Sequence, residues 1–234
     1  MNAILFPGQG SQIVGMGLEF YNNFKVVKNI FEEANDVLKF NISKMILEGP
    51  EGDLKLTKNT QPAILTVSHA IFTILKNEFN FSLNKTKFLA GHSLGEYSAL
   101  VSAESLNFAD ALFLLSERGK AMQEAVPVGE GSMIAVLGAS TEEIKNFIKE
   151  IKNLNVCEIA NDNAIGQVIV SGDKKSIESL KEILKKKLKK FIPLNVSAPF
   201  HCSLMKPASE SMASKINATS FKKPIFKIIC NVTA

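Results

Sequence analysis

The chain has 234 residues, is 46% hydrophobic and carries a formal net charge of +4. That is enough apolar material for one large or two modest domains, no apolar run reaches the roughly 18 residues of a membrane span, and the charge is too small to establish nucleic-acid binding. The three cysteines, Cys157, Cys202 and Cys230, are odd in number and lack zinc-site spacing, which predicts free thiols in a reducing, cytoplasmic compartment.

Ala3 to Phe6 reads as a first strand, and its position leaves no room for a signal peptide. Pro7-Gly8-Gln9-Gly10-Ser11-Gln12 follows. It lacks the Gly-Lys-Ser/Thr ending of a phosphate-cradling loop. A glycine-rich turn at this place can instead bring backbone amides beside a nucleophile carried on another strand. Apolar residues at helical spacing (Phe20, Phe24, Val27, Ile30, Phe31, Ala34, Val37) predict a helix over 18–39. Thr60 reads as the N-cap of a helix over about 61–78, with Pro62 in its first turn. His69 lies beside the apolar stripe of that helix and reads as a packed or surface residue.

Phe88 to Ala90 is a short apolar run that ends in Gly91-His92-Ser93-Leu94-Gly95, and helix-forming residues follow from Glu96 to Ser102. Strand, sharp turn and helix around G-x-S-x-G are the parts of a nucleophile elbow. The turn holds its central residue in a strained conformation, so Gly91 and Gly95 allow an approach that a side chain would block. Ser93 is then presented at the tip, and the Leu94 amide opens the helix without an intrahelical partner. The pattern alone also fits a glycine-rich turn after a buried strand. Asn107, with Asp110 three residues on, caps the next helix, whose inner stripe is Phe108, Ala111, Leu112, Leu115, Gly119 and Met122. Arg118 lies between Leu115 and Met122, so its stem can follow the apolar surface while its head reaches a cleft. It is the single arginine among 27 basic residues. The guanidinium fork grips a carboxylate or phosphate through two parallel hydrogen bonds, which lysine cannot do. A structural ion pair is the other reading.

From Pro127 the texture changes. Met133 to Leu137 is a strand, Ser140 to Glu143 a capping box for a helix to about Lys152, and Val156 to Ala160 and Gln167 to Ser171 are strands around an Asn-Asp-Asn turn. Asp173 caps a helix from Lys174 to about Lys187, and Phe191 to Leu194 is the last strand. The order β-α-β-β-α-β is the ferredoxin-like unit. Lys181, Lys185, Lys186, Lys187, Lys189 and Lys190 crowd one region, readable first as a solvated helix face and second as a docking surface for an acidic partner. The expected fold is α/β: an α/β-hydrolase-like large domain (1–126 and 197–234) with a nucleophile elbow, and an inserted ferredoxin-like small domain (127–196). After the insertion comes Ser197-Ala198-Pro199-Phe200-His201-Cys202. His92 adjoins Ser93 with its side chain pointing away and His69 is mid-helix. By elimination His201 is the best general base, a solvent-exposed loop histidine being the other reading. His201-Cys202 has no second ligand pair to complete a metal site.

Taken together, Pro7 to Gln12, Gly91 to Leu100, Arg118 to Gln123, Asn161 to Gly172 and Pro199 to His201 resemble the malonyl-CoA:acyl carrier protein transacylases, in order and from residue 3 to the last. The resemblance implies an enzyme of fatty acid synthesis that moves malonyl from coenzyme A to the phosphopantetheine thiol of acyl carrier protein. It implies Ser93 as nucleophile, His201 as its base, Arg118 as the partner of the malonyl carboxylate, and the amides of Gln9 and Leu94 as the oxyanion hole. Phe200 stands where malonyl-selective members often carry an aromatic that crowds a methyl branch. No cofactor or metal is implied; the partners are malonyl-CoA and acyl carrier protein, without nucleic acid, and the chain is expected to be monomeric. Ile165 replaces a proline common in the family. Members continue for several tens of residues past Ala234, through a glutamine whose main-chain carbonyl orients the imidazole, so the chain reads as shortened. A serine esterase or thioesterase of the same elbow chemistry, or a non-catalytic carrier-protein-binding module, are the alternative functions.

Overall fold

A computed structural model of the chain describes every residue except Met1, Asn80, Ser82, Val128, Asn195, Ser197 and Ala234. Ser197, which opens the predicted histidine loop, and Ala234 therefore lie outside the described residues. The elements in chain order are β1 (Asn2–Phe6), α1 (Leu18–Asn23), α2 (Lys25–Leu38), α3 (Ile42–Glu48), α4 (Glu51–Leu54), α5 (Thr57–Asn77), β2 (Thr86–Gly91), α6 (Gly95–Ser102) and α7 (Phe108–Glu124). They continue with β3 (Gly131–Leu137), α8 (Thr141–Lys149), β4 (Cys157–Ala164), β5 (Gln167–Asp173), α9 (Lys174–Lys186), β6 (Lys190–Pro193), α10 (Lys206–Ala218) and β7 (Lys227–Ile229). Two compact units result: Met1–Lys120 with Ser214–Ala234, and Ala121–Ala213.

In the first unit β1, β2 and β7 form a parallel sheet with β2 in the middle. Ile4 lies opposite Leu89, and Leu89 opposite Ile228. Parallel neighbours need a long crossover, and α1 to α5 supply it between β1 and β2. Phe6, Phe72, Leu89, Ala99 and Ala103 form a core cluster against this sheet. The α5 helix is buried along most of its length. The helix expected over 18–39 is broken at Phe24, which is extended (φ −125°, ψ 119°). That break brings the Phe24 ring against Phe20 and Phe79. Thr60 does not cap α5. Its hydroxyl donates backwards to the Leu54 carbonyl at 2.6 Å, and the Asn59 amide donates to Asp53 at 2.9 Å. These side chains satisfy carbonyls of the preceding turn, and α5 begins four residues earlier than expected, at Thr57, with Leu56 at the N-cap.

In the second unit the strands lie in the order β4-β5-β3-β6, all antiparallel, with α8 and α9 in the connections. This is the ferredoxin-like order. Alternation along β3 sends Ile134 and Val136 to one face, where Ile144, Phe147, Ile177, Leu180 and Leu184 bury them. Met133 and Ala135 face the other way, where Phe200, Met205 and Ala208 belong to the covering cluster. The sheet is thus buried on both faces, and the unit extends to Ala213 rather than ending at 196. The expected Asn-Asp-Asn turn is strand: Asn161 pairs with Ile169 and Asp162 with Val168. Irregularities between Ile159 and Asn161 and between Asp162 and Ala164 absorb the extra residues, and Ile165-Gly166 makes the turn, with Gly166 at φ +76°. The capping box is present, with Ser140 accepting from Glu143 N–H and Glu143 from Ser140 N–H.

Candidate active site

The central strand β2 ends at Gly91, and four residues later α6 begins. Ser93 sits between them in the left-handed region, φ +53°. A Cβ on Gly91 would lie 1.9 Å from the Gly95 carbonyl, and one on Gly95 would lie 2.5 Å from the Phe6 oxygen. Only glycine permits this crossing of strand, helix and the end of β1. The His92 amide donates to the Phe6 carbonyl at 3.0 Å, and its ring lies against Gly8, where a Cβ would meet Nδ1 at 2.5 Å. The Pro7–Gln12 loop is therefore in direct contact with the elbow. It is tied to itself by Ser11 Oγ to Gly8 O and Gly10 N to Gln12 Oε1, and the Gln9 side chain donates to Thr57 Oγ1 at 3.2 Å.

Arg118 reaches this turn from α7. Its Nη2 donates to Ser93 Oγ at 3.1 Å and its Nη1 to Gln61 Oε1 at 2.7 Å. Gln61 is fully buried, on α5. Both of these bonds run to neutral oxygens rather than to a carboxylate. Desolvation lowers the guanidinium pKa, opposed by the nearby Tyr97 and Glu96 charges, while burial raises the Tyr97 phenol against the pull of Arg118. The helix α7 packs closely enough on α5 for this reach because Gly119 abuts the backbone of Lys58, 2.5 Å from where its Cβ would be.

Two residues of this turn escaped sequence reasoning. Asn231, just past β7, accepts from the Ser93 N–H at 2.9 Å and donates to the Gly91 carbonyl at 2.8 Å. Its backbone N–H donates to Glu96 Oε2 at 2.9 Å, and its side-chain amide bonds the same oxygen. In the sequence Glu96 stands out only as a member of the motif, and nothing local marks Asn231, 138 positions from Ser93.

His201 belongs to the second unit. It too is left-handed, φ +59°. Pro199 before it packs on Gly131, where a Cβ would lie 2.2 Å from the proline ring. The Phe200 N–H donates to Met133 Sδ at 3.3 Å and the Phe200 ring is buried, so its first role is to anchor the loop in the core. After it, Cys202 Sγ donates to the Pro199 carbonyl, and Ser203 donates through N–H (2.8 Å) and Oγ (2.6 Å) to the Glu158 carboxylate.

Other candidates resolve into packing or solvated surface. His69 stacks on Phe108 with centroids 4.5 Å apart, and burial pushes its pKa down to about 4. Cys157 and Cys202 are buried and Cys230 exposed, all three free; burial pushes the Cys157 thiol up to about 12. Lys181 and Lys185 pair with Glu178 and Glu182 one turn back on α9, as on a helix face, while Lys187 and Lys189, past the end of α9, pair with Glu150 and Glu143 of the α8 segment at 3.1 and 2.8 Å. Among the described residues no cluster of three or more His, Cys, Asp or Glu could hold a metal, and no helix is long and apolar enough to cross a membrane.

A strained serine on a glycine-bounded elbow, touched by a half-buried guanidinium, matches what comparison with known proteins finds. Residues 4–233 match the family model of the acyl transferase domain. This chain belongs to the acyl transferase domain family. Within that family it is 44% identical over 234 residues to the malonyl CoA-acyl carrier protein transacylase of Bacillus subtilis strain 168, covering 99% of this chain and 73% of that one. It is 41% identical over 231 residues to the protein of the same name from Haemophilus influenzae, covering 98% and 73%. Among solved structures, the acyl-carrier-protein-S-malonyltransferase of Bartonella henselae superposes with a TM-score of 0.95 at 41% identity, covering 100% of this chain and 75% of that one. A malonyl-transacylase bound to its type II PKS acyl-carrier protein does so with a TM-score of 0.94 at 40% identity, covering 99% and 74%. The resemblance drawn from the five sequence blocks is therefore real, and so is the acyltransferase α/β fold it implied.

Proposed function

We propose that this acyl transferase moves malonyl from malonyl-CoA to the phosphopantetheine thiol of acyl carrier protein, in fatty acid synthesis, through a malonyl ester on Ser93. The observation that carries the reading is the 3.1 Å contact between Arg118 Nη2 and Ser93 Oγ. It puts a nucleophile and a carboxylate-binding fork within one small acyl group of each other. A malonyl carboxylate that takes the Nη2 arm in place of the Ser93 oxygen, with Gln61 still holding Nη1, would present its thioester carbon to Ser93.

In the proposed reaction His201 takes the Ser93 proton as Oγ attacks the thioester carbon. The amides of Gln9 and Leu94 hold the resulting oxyanion, and a single such donor is worth about 3–4 kcal/mol of barrier. Collapse breaks the C–S bond, and coenzyme A leaves with the proton from His201. The carrier thiol then gives its proton to His201, attacks the ester carbon and displaces Ser93, which recovers the proton. This is ping-pong chemistry. It needs no metal or cofactor beyond the thioester, and it suits a reducing cytoplasm in which the carrier thiol stays free.

The test is intact-protein mass spectrometry after mixing with malonyl-CoA. One malonyl group should appear on Ser93 and disappear on adding the thiol of an acyl carrier protein. Absence of any adduct on the wild-type serine sinks the proposal, and fast release of free malonate without a carrier thiol converts it to a hydrolase.

A further inference from the structure

The side-chain amide of Asn231 uses both of its donor hydrogens and its carbonyl oxygen on the elbow. Its oxygen accepts the Ser93 N–H, one amide hydrogen goes to the Gly91 carbonyl and the other to the Glu96 carboxylate. Its own backbone N–H returns to the same Glu96 oxygen. The three residues it touches are the last of β2, the tip and the first turn of α6. The orientation is unambiguous, because a reversed amide would set oxygen against the Gly91 and Glu96 oxygens. Ser93 is not a glycine, yet it holds φ +53°, a region L-residues enter only when neighbours impose it. Bonding the Ser93 N–H fixes that peptide plane and hence the direction of the Cα–Cβ bond. It also removes the Ser93 amide from the donors that a bound acyl group could meet.

We infer that Asn231 is a positioning residue, holding Ser93 in its attack orientation through a staple across Gly91, Ser93 and Glu96. This rests on Ser93 being the nucleophile of the proposed reaction, and it assigns a chemical role to a residue distant from every motif in the sequence. Arg118 and Gln61, which would hold the carboxylate, do not take part in the staple. The effect of losing it therefore falls on the rate of bond formation and not on substrate affinity.

The experiment is quenched-flow acylation of the full chain by malonyl-CoA, read by intact mass, for wild type, Asn231→Ala, Asn231→Asp and the double variant Asn231→Asp/Glu96→Gln. Asn231→Ala should lower the first-order acylation rate about tenfold or more, as expected for several lost hydrogen bonds, and move the half-saturating concentration by less than about twofold. Deuterium exchange in residues 89–97 should quicken. Asn231→Asp keeps the acceptor for Ser93 N–H but faces the Glu96 carboxylate, so it too should be slow. Adding Glu96→Gln restores a donor opposite the new carboxylate and should recover at least about threefold, a rescue that general destabilisation would not produce. Should the alanine variant not fold, the Asp and Asp/Gln pair decides alone. An unchanged acylation rate, a loss confined to half-saturation, or no rescue overturns the inference. If malonyl-CoA leaves the wild type unlabelled, the proposed function fails by itself. The same four proteins are then compared with a fluorophosphonate, which forms a P–O bond to an activated serine and expels fluoride, and equal labelling rates overturn the positioning role.

Discussion

Arg118 has a buried neighbour, Gln61, and an exposed task. The Gln61 carbonyl oxygen fixes one arm of the fork at 2.7 Å and leaves the other aimed at Ser93. In the proposed reaction the malonyl carboxylate meets that fork, a charged hydrogen bond worth about 1.5–3 kcal/mol, or roughly 10- to 150-fold. Acetyl-CoA has no carboxylate to offer it. Arg118→Ala should therefore lower kcat/KM for malonyl-CoA by about that factor while changing the slower acetyl transfer several-fold at most. Arg118→Lys should restore little, because an ammonium cannot reach Gln61 and a carboxylate as two arms of one plane. Parallel kinetics with the two thioesters checks both; an equal loss on both substrates would remove Arg118 from acyl recognition.

At the scale of elements, the elbow is a crossing of three backbones with no room at the crossing points. Gly91→Ala places a methyl 1.9 Å from the Gly95 carbonyl, so β2 and α6 must separate. The expected cost is several kcal/mol or an unfolded first unit, read as a lower urea midpoint by circular dichroism. Ser140→Ala breaks the capping box of α8 in the second unit and should cost about 1 kcal/mol with transfer unchanged. The contrast shows which elements could be read in the sequence. The elbow was legible because its constraint is local: a strand and a helix crossing at contact distance demand glycine at two fixed offsets from the serine. The ferredoxin-like order was legible because strand and helix periods alternate cleanly between Met133 and Leu194. The Asn161–Asn163 turn was misplaced because asparagine and aspartate favour turns, whereas here two irregularities keep them in β4. Thr60 was misplaced because a threonine that bonds backwards looks the same as one that caps forwards. Asn231 was invisible because its partners lie far back along the chain, joined to it only through the β2–β7 pairing.

At the scale of the whole molecule, acid should act on this protein through His69 before it acts on the carboxylates. Burial against Phe108 lowers the His69 pKa from 6.5 to about 4. The imidazole is a base whose folded pKa lies below its unfolded value. As pH falls, the unfolded chain binds the proton first, and stability declines across the window from about 6.5 to about 4. Between pH 7 and 5 the loss is about 2 kcal/mol, a sizeable part of the 5–15 kcal/mol typical of a folded domain. Among the described residues four carboxylates are also held low: Glu117 by Lys120, Glu143 by Lys189, Glu182 by Lys185, and Asp173, against the opposing effect of its burial, by hydrogen bonds from Ser176. They too lose stabilisation as pH falls, but in a lower window. Their contribution is fully present above the ordinary carboxylate range and is lost only as pH drops through it, so it does not overlap the upper part of the His69 window. His69→Gln removes the titrating group while keeping a polar side chain of similar length. Urea unfolding of both proteins at pH 7 and pH 5 should show the wild type losing about 2 kcal/mol and the variant losing little. An equal loss in both would assign the acid sensitivity elsewhere, since the Phe108 stack would then not be holding His69 neutral.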